Sequence, residues 1–283
     1  MASISVRSNA KINLFFEINS LRDDGYCNVT SLMCPIDLSD HIEFDISKST
    51  NLKINFNCTL PFDKAHNTIT RAIQLFSKQT KINNFAINIT IQKNIPIGAG
   101  FGGGSSNGTA MLLALNEYFK NPLSLETLQI LAQKIGTDCP FFIKNKAQLA
   151  TGRGDILTPV PHIDHALRNY YCLVFCPEFS IATNQAYNEF KAKPNFTQRF
   201  KNPLPDELEA LCFNSFEPQI LAKYKDLNQI FHALSDEGFS PHITGSGSGG
   251  FILNQSKERL EIAQQIIQKC ISNYRLCRIV TFL

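Results

Sequence analysis

Polar and apolar residues alternate along two early segments of the chain. Residues 12–18 and 41–46 both show this period of two, which predicts β-strands. Residues 21–26 lie between them and are rich in charged and turn-forming residues, which predicts a turn. Apolar residues then recur at helical spacing in residues 67–76 and 125–135, which predicts two helices.

A glycine-rich segment lies between a predicted strand and an apolar run. Residues 85–91 alternate as a strand, residues 96–108 follow, and residues 110–115 are almost wholly apolar. Six of the fifteen glycines lie in residues 98–108. Glycine lets the backbone approach a ligand closely, and the N-terminus of a following helix favours anions. This strand–loop–helix order favours phosphate binding over a merely flexible linker.

The loop matches neither of two familiar phosphate motifs. A Walker A loop needs a lysine at the start of the helix, and no lysine occurs between Lys93 and Lys120. The spacing Gly98-x-Gly100-x-x-Gly103 matches the dinucleotide fingerprint, but that fold needs a second strand soon afterwards. Helical spacing in residues 125–135 replaces that strand. The sequence therefore excludes a Rossmann domain.

The second half of the chain contains two further glycine clusters. Residues 151–155 form one and residues 244–251 the other, with a buried-type strand predicted at residues 170–176. A polar, proline-containing stretch occupies residues 191–206, and helix–strand alternation follows it. With 283 residues, two cores are expected. We predict domains 1–155 and 156–283.

Composition indicates an ordinary soluble globular protein without a general nucleic-acid or membrane partner. Apolar residues make up 43% and charged residues 18%, and the formal net charge is +3. No apolar run reaches the roughly 18 residues of a membrane span, and no signal-peptide core is present. The nine cysteines include no Cys-x-x-Cys pair, which favours a reducing cytoplasm over a disulfide framework. No zinc-ligand spacing occurs either.

Four separated segments together resemble the GHMP kinase superfamily of small-molecule kinases. They are residues 10–14, 96–108, 136–142 and 244–251. Within the superfamily, residues 22–26 and 151–157 most resemble the kinases of a cytidine-diphosphate-linked methylerythritol, which act in the non-mevalonate isoprenoid pathway. The resemblance covers residues 5 to about 255.

The resemblance implies an α+β fold of two domains. The N-terminal domain would be the ATP-binding kinase domain, like domain 2 of ribosomal protein S5, and the C-terminal domain would be ferredoxin-like. The active site would lie in the cleft between them.

The implied reaction transfers a phosphoryl group from ATP to the 2-hydroxyl of the methylerythritol moiety. Asp138 matches the family's catalytic carboxylate, and Lys11 matches its cation. From the residues alone, Asp138 also fits a turn or helix cap, and Lys11 fits a solvent-facing strand position. Mg²⁺ is an expected cofactor, without assigned ligands.

The resemblance also assigns the nucleotide and the acceptor. ATP phosphates would bind along Pro96, Ile97, Gly98, Ala99, Gly100, Phe101, Gly102, Gly103, Gly104, Ser105 and Ser106, with Asn67 near the adenine. The small-molecule substrate would contact Asn13, Tyr26, Cys27, Tyr187 and Gly247. Cys27 departs from the family pattern, which has histidine there.

Two other functions are compatible with the same motifs. One is a GHMP kinase with another small acceptor, such as homoserine or mevalonate. The other is a catalytically silent regulator that binds a nucleotide on the same fold. Retention of Lys11, Asp138 and the whole loop argues against the regulator, and residues 22–26 argue against another acceptor. The sequence leaves the oligomeric state open.

Overall fold

Strands and helices are mixed along the chain in the computed structural model, which describes residues 3–57, 63–200 and 207–283. The strands are β1 Ile4–Leu21, β2 Cys27–Lys48, β3 Lys53–Phe56, β4 Phe85–Gln92, β5 Gln148–Thr151, β6 Ile156–Pro159, β7 Tyr171–Pro177, β8 Phe213–Asn214, β9 His242–Ile243, β10 Gly250–Asn254 and β11 Tyr274–Thr281. The helices are α1 Thr68–Thr80, α2 Gly103–Tyr118, α3 Leu125–Ile135, α4 Phe141–Lys144, α5 Pro161–Leu167, α6 Thr183–Ala192, α7 Glu217–Lys223, α8 Lys225–Asp236 and α9 Lys257–Cys270, with a 3₁₀ turn at Glu209–Leu211. The predicted α+β class is confirmed.

The chain divides into two compact units that are not continuous in sequence. The first unit contains the described residues of Met1–Ala10, Leu38–Ile95 and Gly102–Asn145. The second contains those of Lys11–Asp37, Pro96–Phe101 and Lys146–Leu283. The long strands β1 and β2 therefore each contribute residues to both units. The boundaries of these compact units differ from those of the predicted functional domains, 1–155 and 156–283. The functional domains stay a prediction.

The first unit packs helices against a small part of a sheet. Strand β4 pairs antiparallel with His41–Lys48 of β2 and parallel with β3, and helix α1 lies between β3 and β4 in sequence. Asn67 caps α1 and Ser124 caps α3, each by accepting a backbone N–H of the first turn. Phe44, Phe76 and Met111 are among the buried residues of its core. The predicted helices 67–76 and 125–135 and strand 85–91 are confirmed.

The second unit contains a four-stranded antiparallel sheet. Its strand order is β11-β7-β10-β9. Helices intervene between β7 and β9, β9 leads directly to β10, and α9 connects β10 to β11. This β-α-β-β-α-β order, with the first and last strands adjacent, is that of the ferredoxin-like fold. The predicted ferredoxin-like arrangement and the strand at residues 170–176 are confirmed.

Strands β1 and β2 are much longer than their alternating segments predicted. They span 18 and 22 residues, whereas the alternation covered residues 12–18 and 41–46. Lys11, Asn13 and Glu17 of β1 are buried polar residues with hydrogen-bond partners, so burial does not follow polarity there. The strand therefore continues through buried polar positions and beyond the alternating segment.

The cysteines of the described residues are all free thiols. They number eight, and Cys58 lies outside the described residues. Over residues 3–57, 63–200 and 207–283, no helix has both the length and the apolar character needed to cross a membrane.

Candidate active site

The glycine-rich segment alternates left-handed and ordinary backbone before α2 begins. Gly98, Gly100 and Gly102 have φ values of 67°, 83° and 72°. Such values suit glycine because it has no Cβ to clash with the backbone. Gly102 is the N-cap residue of α2, and the chain becomes helical from Gly103. The strand–loop–helix arrangement predicted from the sequence is therefore confirmed.

Lys11 and Asn13 form a buried polar network in the second unit. The Lys11 Nζ donates to Asn13 Oδ1 at 2.5 Å and to the Gly100 carbonyl at 2.8 Å. Asn13 Nδ2 donates to Ser31 Oγ at 2.7 Å, and Ser31 Oγ donates to the Phe15 carbonyl. Lys11 is only 3% exposed, which rules out the solvent-facing alternative. The ammonium group is thus held beside the glycine-rich segment by partners in the same unit.

Two glycine-rich segments contact each other backbone to backbone within the second unit. A Cβ on Gly100 would stand 2.1 Å from the Thr244 carbonyl oxygen. The Gly249 N–H donates to the Ala99 carbonyl at 3.0 Å, and a Cβ on Gly249 would meet that oxygen at 2.5 Å. Gly247 lies in the same turn, with its N–H donating to the Thr244 carbonyl. Glycine is required here because two backbones occupy the space of a side chain.

The N-terminus of α2 lies in the first unit and has no side-chain cap. The N-cap residue Gly102 has no side chain with which to cap the first-turn N–H groups. Thr68 Oγ1 donates to the Gly104 carbonyl at 2.5 Å and so ties the start of α1 to this turn. Among the described residues, no heavy atom of the surroundings lies within 4 Å of a Cβ placed on Gly104. The first turn of α2 therefore has N–H groups without a side-chain cap and open space beside Gly104.

The turn that contains Asp138 is fixed to the first two turns of α2. Thr109 Oγ1 donates to the Cys139 carbonyl at 2.9 Å. Ser105 Oγ and the Cys139 Sγ both lie beside Gly136, within 3.8 Å and 3.3 Å of the position of a Cβ there. Burial raises the pKa of the Cys139 thiol to about 11, against the opposing hydrogen bonds from Ser105 and Thr109. The first unit thus brings Ser105 and Thr109 of α2 together with the Asp138 turn.

Asn67 has a structural role in the first unit. Its Oδ1 accepts the Thr70 N–H at 2.9 Å, which caps α1. Its Nδ2 donates to the carbonyls of Asp63 and Lys64 at 2.9 and 3.0 Å. Both ends of the amide are therefore occupied within the chain, and the predicted contact with adenine stays a prediction.

Tyr26 is the exposed end of a tight turn in the second unit. The Arg22 N–H donates to the Tyr26 carbonyl at 2.8 Å, and Asp24 Oδ1 accepts the Tyr26 N–H at 3.1 Å. That backbone N–H lowers the pKa of Asp24. The Tyr26 ring is 59% exposed, and the Arg153 guanidinium lies 5.2 Å from its centroid. The Arg153 guanidinium therefore lies over one face of an otherwise exposed ring, and the predicted stacking on cytosine stays a prediction.

Cys27 and Tyr187 differ in how they meet the core of the second unit. The Cys27 thiol lies in the apolar cluster and is 4% exposed, and burial raises its pKa. Tyr187 on α6 is partly buried and packs edge-on against Phe216, with the ring centroids 4.9 Å apart. Lys191 of the same helix donates to the Gly25 carbonyl at 2.6 Å, which links α6 to the Tyr26 turn. A substrate contact at Cys27 would thus use its backbone groups.

Known proteins share sequence with this chain over most of its length. Residues 67–146, which include the α2 N-terminus and the Asp138 turn, match the family model of the GHMP kinases N terminal domain. A 4-diphosphocytidyl-2-C-methyl-D-erythritol kinase from Francisella philomiragia is 33% identical over 280 residues, which cover 97% of each chain. The chain belongs to the 4-diphosphocytidyl-2-C-methyl-D-erythritol kinase family. The family resemblance predicted from the sequence motifs is confirmed.

Other relatives and solved structures show the same family and fold. The protein of that name from Azobacteroides pseudotrichonymphae is 34% identical over 254 residues, which cover 88% of this chain and 92% of the relative. A crystal structure of 4-(cytidine 5'-diphospho)-2C-methyl-D-erythritol kinase matches with a TM-score of 0.79 and 26% identity, covering 99% of this chain and 98% of the other. Homoserine kinase from Cytophaga hutchinsonii matches with a TM-score of 0.70 at 18% identity, over 99% and 95% of the two chains, and so shares the fold.

A buried polar cluster near the kinase family's glycine loop was missed by the sequence analysis. Lys93 Nζ binds the buried carboxylate of Asp40 and donates to Asn107 Oδ1 at 2.9 Å. Asn107 Nδ2 donates to Asp40 Oδ2 at 2.9 Å and to Ser8 Oγ at 2.6 Å. Asp40 also accepts the backbone N–H groups of Asn94 and Ile95. Its members come from separate segments of the first unit, so no local motif signals the cluster.

Proposed function

We propose that this chain is an ATP-dependent kinase of 4-diphosphocytidyl-2-C-methyl-D-erythritol. It transfers the γ-phosphoryl group to the 2-hydroxyl of the methylerythritol moiety, a step of the non-mevalonate isoprenoid pathway. The single observation that carries the proposal is the first turn of α2. It presents N–H groups with open space beside Gly104, and Thr109 of the next turn donates to the Cys139 carbonyl in the turn that contains Asp138.

ATP binds through backbone groups in this proposal. The N–H groups of the glycine-rich segment and of the first turn of α2 face the phosphates, and the helix dipole favours their negative charge. Ser105 and Ser106 are part of that turn and add their hydroxyl groups. Pro96 and Ile97 begin the segment, while Ala99 and Phe101 anchor it, since each is 1% exposed. Asn67, at the start of α1, lies near the adenine in this proposal. Thr68 Oγ1 donates to the Gly104 carbonyl and so joins the start of α1 to the first turn of α2.

Asp138 and Lys11 have different tasks in the transfer. Asp138 accepts the proton of the attacking hydroxyl as the new bond to phosphorus forms. Lys11 places a positive charge beside the Gly100 carbonyl, where it offsets negative charge of the transferring group. Asn13 holds that ammonium group and is in turn held by Ser31. Loss of either charge is therefore expected to reduce turnover more than nucleotide binding.

The residues of the first unit fit a magnesium ion bound with ATP. Mg²⁺ prefers hard oxygen ligands, typically one or two carboxylates completed by phosphates and water. Ser105 and Ser106 supply hydroxyl oxygens and Asp138 a carboxylate, with the Ser105 hydroxyl beside Gly136 in the adjoining turn. No cluster of three His, Cys, Asp or Glu side chains occurs in the described ranges, so phosphate and water would complete the shell. When bound, the ion neutralises charge on the phosphates.

The acceptor is recognised around the Tyr26 turn in this proposal. Tyr26 supplies a stacking surface for cytosine, and Tyr187 lies on the helix that Lys191 joins to the turn. Lys191 brings an ammonium group to the turn, which suits a diphosphate, whereas Arg22 and Arg153 are paired there with Asp24 and Asp155. Gly247 borders the acceptor end of the active site in this proposal, in the turn where its N–H donates to the Thr244 carbonyl. The free thiols of the described cysteines favour the cytoplasm as the compartment.

An ADP-release assay tests the proposed function. The full chain is incubated with ATP and Mg²⁺, with and without 4-diphosphocytidyl-2-C-methyl-D-erythritol, and with homoserine or mevalonate in parallel. We expect ADP release only with the diphosphocytidyl substrate, together with a product phosphorylated at the 2-hydroxyl. ADP release only with homoserine or only with mevalonate would show that this acceptor, and not the diphosphocytidyl compound, is the substrate. ATP binding without release on any of the three would indicate the silent regulator.

Tyr26→Ala is expected to weaken substrate binding with little effect on stability, whereas Cys27→Ala is expected to lower stability with little effect on substrate binding. Tyr26→Ala removes an exposed stacking surface, worth about 1–3 kcal/mol in base–aromatic contacts, so the KM of the diphosphocytidyl substrate rises by about tenfold or more. Its Tm stays within about 2 °C of the parent value. Cys27→Ala removes a buried side chain, so it lowers the Tm by about 2–4 °C.

Steady-state kinetics and thermal unfolding of both variants check this pair. The KM of the Cys27→Ala variant should stay within about threefold of the parent value, because the thiol faces the core. A larger KM effect for Cys27→Ala than for Tyr26→Ala would show that the thiol contacts the substrate.

A further inference from the structure

Arg275 lies at an irregularity of strand β11. Tyr274 pairs with Pro177 and Leu276 pairs with Cys176, so the register shifts across Arg275. One residue is therefore extra on β11, as in a β-bulge. A bulge changes the direction of a side chain relative to its neighbours in the strand, and bulges are frequent beside active sites.

The guanidinium of Arg275 binds the chain at several points within the second unit. Nε donates to the Pro177 carbonyl at 2.9 Å, and Nη1 donates to the Ile97 carbonyl at 2.6 Å. Nη2 donates to the Phe179 carbonyl at 2.8 Å and to Cys176 Sγ at 3.1 Å. A longer contact of 3.5 Å joins Nη2 to Ser248 Oγ. These acceptors come from the end of β7, the loop after it and both glycine-rich segments.

The contact with Ile97 fixes the first turn of the glycine-rich segment. Ile97 is 55% exposed, so its side chain provides little packing to hold this point. Further along, the segment is anchored by the Gly249 N–H on the Ala99 carbonyl. Ser248, next to Gly249, donates to the Phe179 carbonyl, which Arg275 also binds. Arg275 thus joins the start of segment 96–101 to the turn of Ser248 and Gly249, and Gly249 in turn binds the Ala99 carbonyl in the middle of that segment.

Arginine suits this position for a chemical reason. Its planar guanidinium has five N–H donors in a fixed arrangement and stays charged at any physiological pH. The carbonyls of Ile97, Pro177 and Phe179 accept from three different nitrogens of the group. A lysine ammonium is a single point with rotatable donors, so it cannot reproduce this spread.

We propose that Arg275 is a positioning residue that fixes the conformation of the phosphate-binding segment 96–101. It acts through the Ile97 carbonyl and contacts neither reactant. The inference rests on the proposed function only in that the segment binds ATP.

Arg275→Met, Arg275→Lys and the control Arg278→Met test this role. Arg278 is an exposed arginine on the same strand, so its replacement removes the same charge. A nonhydrolysable ATP analogue is titrated by calorimetry, and amide exchange is followed in peptides that cover residues 96–106. For Arg275→Met we expect analogue affinity to fall by about tenfold or more and exchange to accelerate in that peptide. Arg275→Lys should lose about threefold, and Arg278→Met should match the parent in both.

Steady-state kinetics separate positioning from general destabilisation. The KM of ATP should rise in Arg275→Lys while the KM of the acceptor stays within about twofold. Equal analogue affinity and equal exchange in the parent and in Arg275→Lys or Arg275→Met would overturn the proposal. If Arg275→Met does not fold, Arg275→Lys decides, because it keeps the charge and the stem. Analogue binding needs no acceptor, so the outcome is distinct from a failure of the proposed substrate.

Discussion

Asp138→Asn is expected to lower kcat by about 10²–10⁴-fold, the usual weight of general acid–base catalysis. The amide keeps the shape of the side chain but cannot accept the proton of the attacking hydroxyl. The surrounding turn is held by Thr109 on the Cys139 carbonyl, which the substitution leaves intact. The affinity for ATP should therefore change little. Steady-state kinetics and calorimetry on the same preparation provide both values.

Asp236→Asn is the matched control for that variant. Asp236 is an exposed carboxylate at the end of α8 in the second unit, so its neutralisation should leave kcat at the parent value. A folded Asp138→Asn protein with kcat within about threefold of the parent would remove Asp138 from the proposed mechanism.

Gly104→Val is expected to weaken ATP binding by at least about tenfold with little loss of stability. The added side chain extends into space that no described heavy atom occupies within 4 Å of Cβ. A phosphate that approaches the first-turn N–H groups would occupy the same space. A tenfold loss in Kd corresponds to about 1.4 kcal/mol. Calorimetry with ATP and thermal unfolding give the two quantities.

Two further variants test whether the loss of ATP affinity depends on the size of the side chain at position 104 and on the position of the valine. Gly104→Ala adds a smaller group and should weaken ATP binding less than valine does. Glu258→Val changes the corresponding second position of α9, and it should leave ATP affinity unchanged. Unchanged affinity in Gly104→Val would place the phosphates elsewhere. A large fall in Tm with lost affinity would instead indicate a local collapse of the turn.

Local sequence signals predicted the conformation of the glycine-rich segment well because that conformation is set locally. Gly98, Gly100 and Gly102 adopt left-handed φ values that glycine accepts most readily, and α2 begins at the next residue. The caps of α1 and α3 are likewise local, since Asn67 and Ser124 bind N–H groups three residues on. Such features need no knowledge of distant residues.

Cys27 shows where local reading was incomplete. The family motif placed it in the substrate site, and its identity suggested a weaker hydrogen-bond donor than histidine. The structure places the thiol among apolar residues of the second unit, including Val29 and Phe190. Which face of β2 is covered depends on residues far along the chain, so the motif alone did not reveal this burial.

By itself, the sequence determined the α+β class, the helix starts, the glycine-loop conformation and the family, because each depends on residues close together in the chain or on ordered motifs. Tertiary structure alone decided which polar groups meet as hydrogen-bond partners. Arg275 meets Ile97 across 178 positions, and Asp40 meets Asn107 across 67. Such contacts depend on strand register and a bulge, which arise only when distant segments pair. A lone arginine or aspartate in a sequence has no periodicity that could predict its partner.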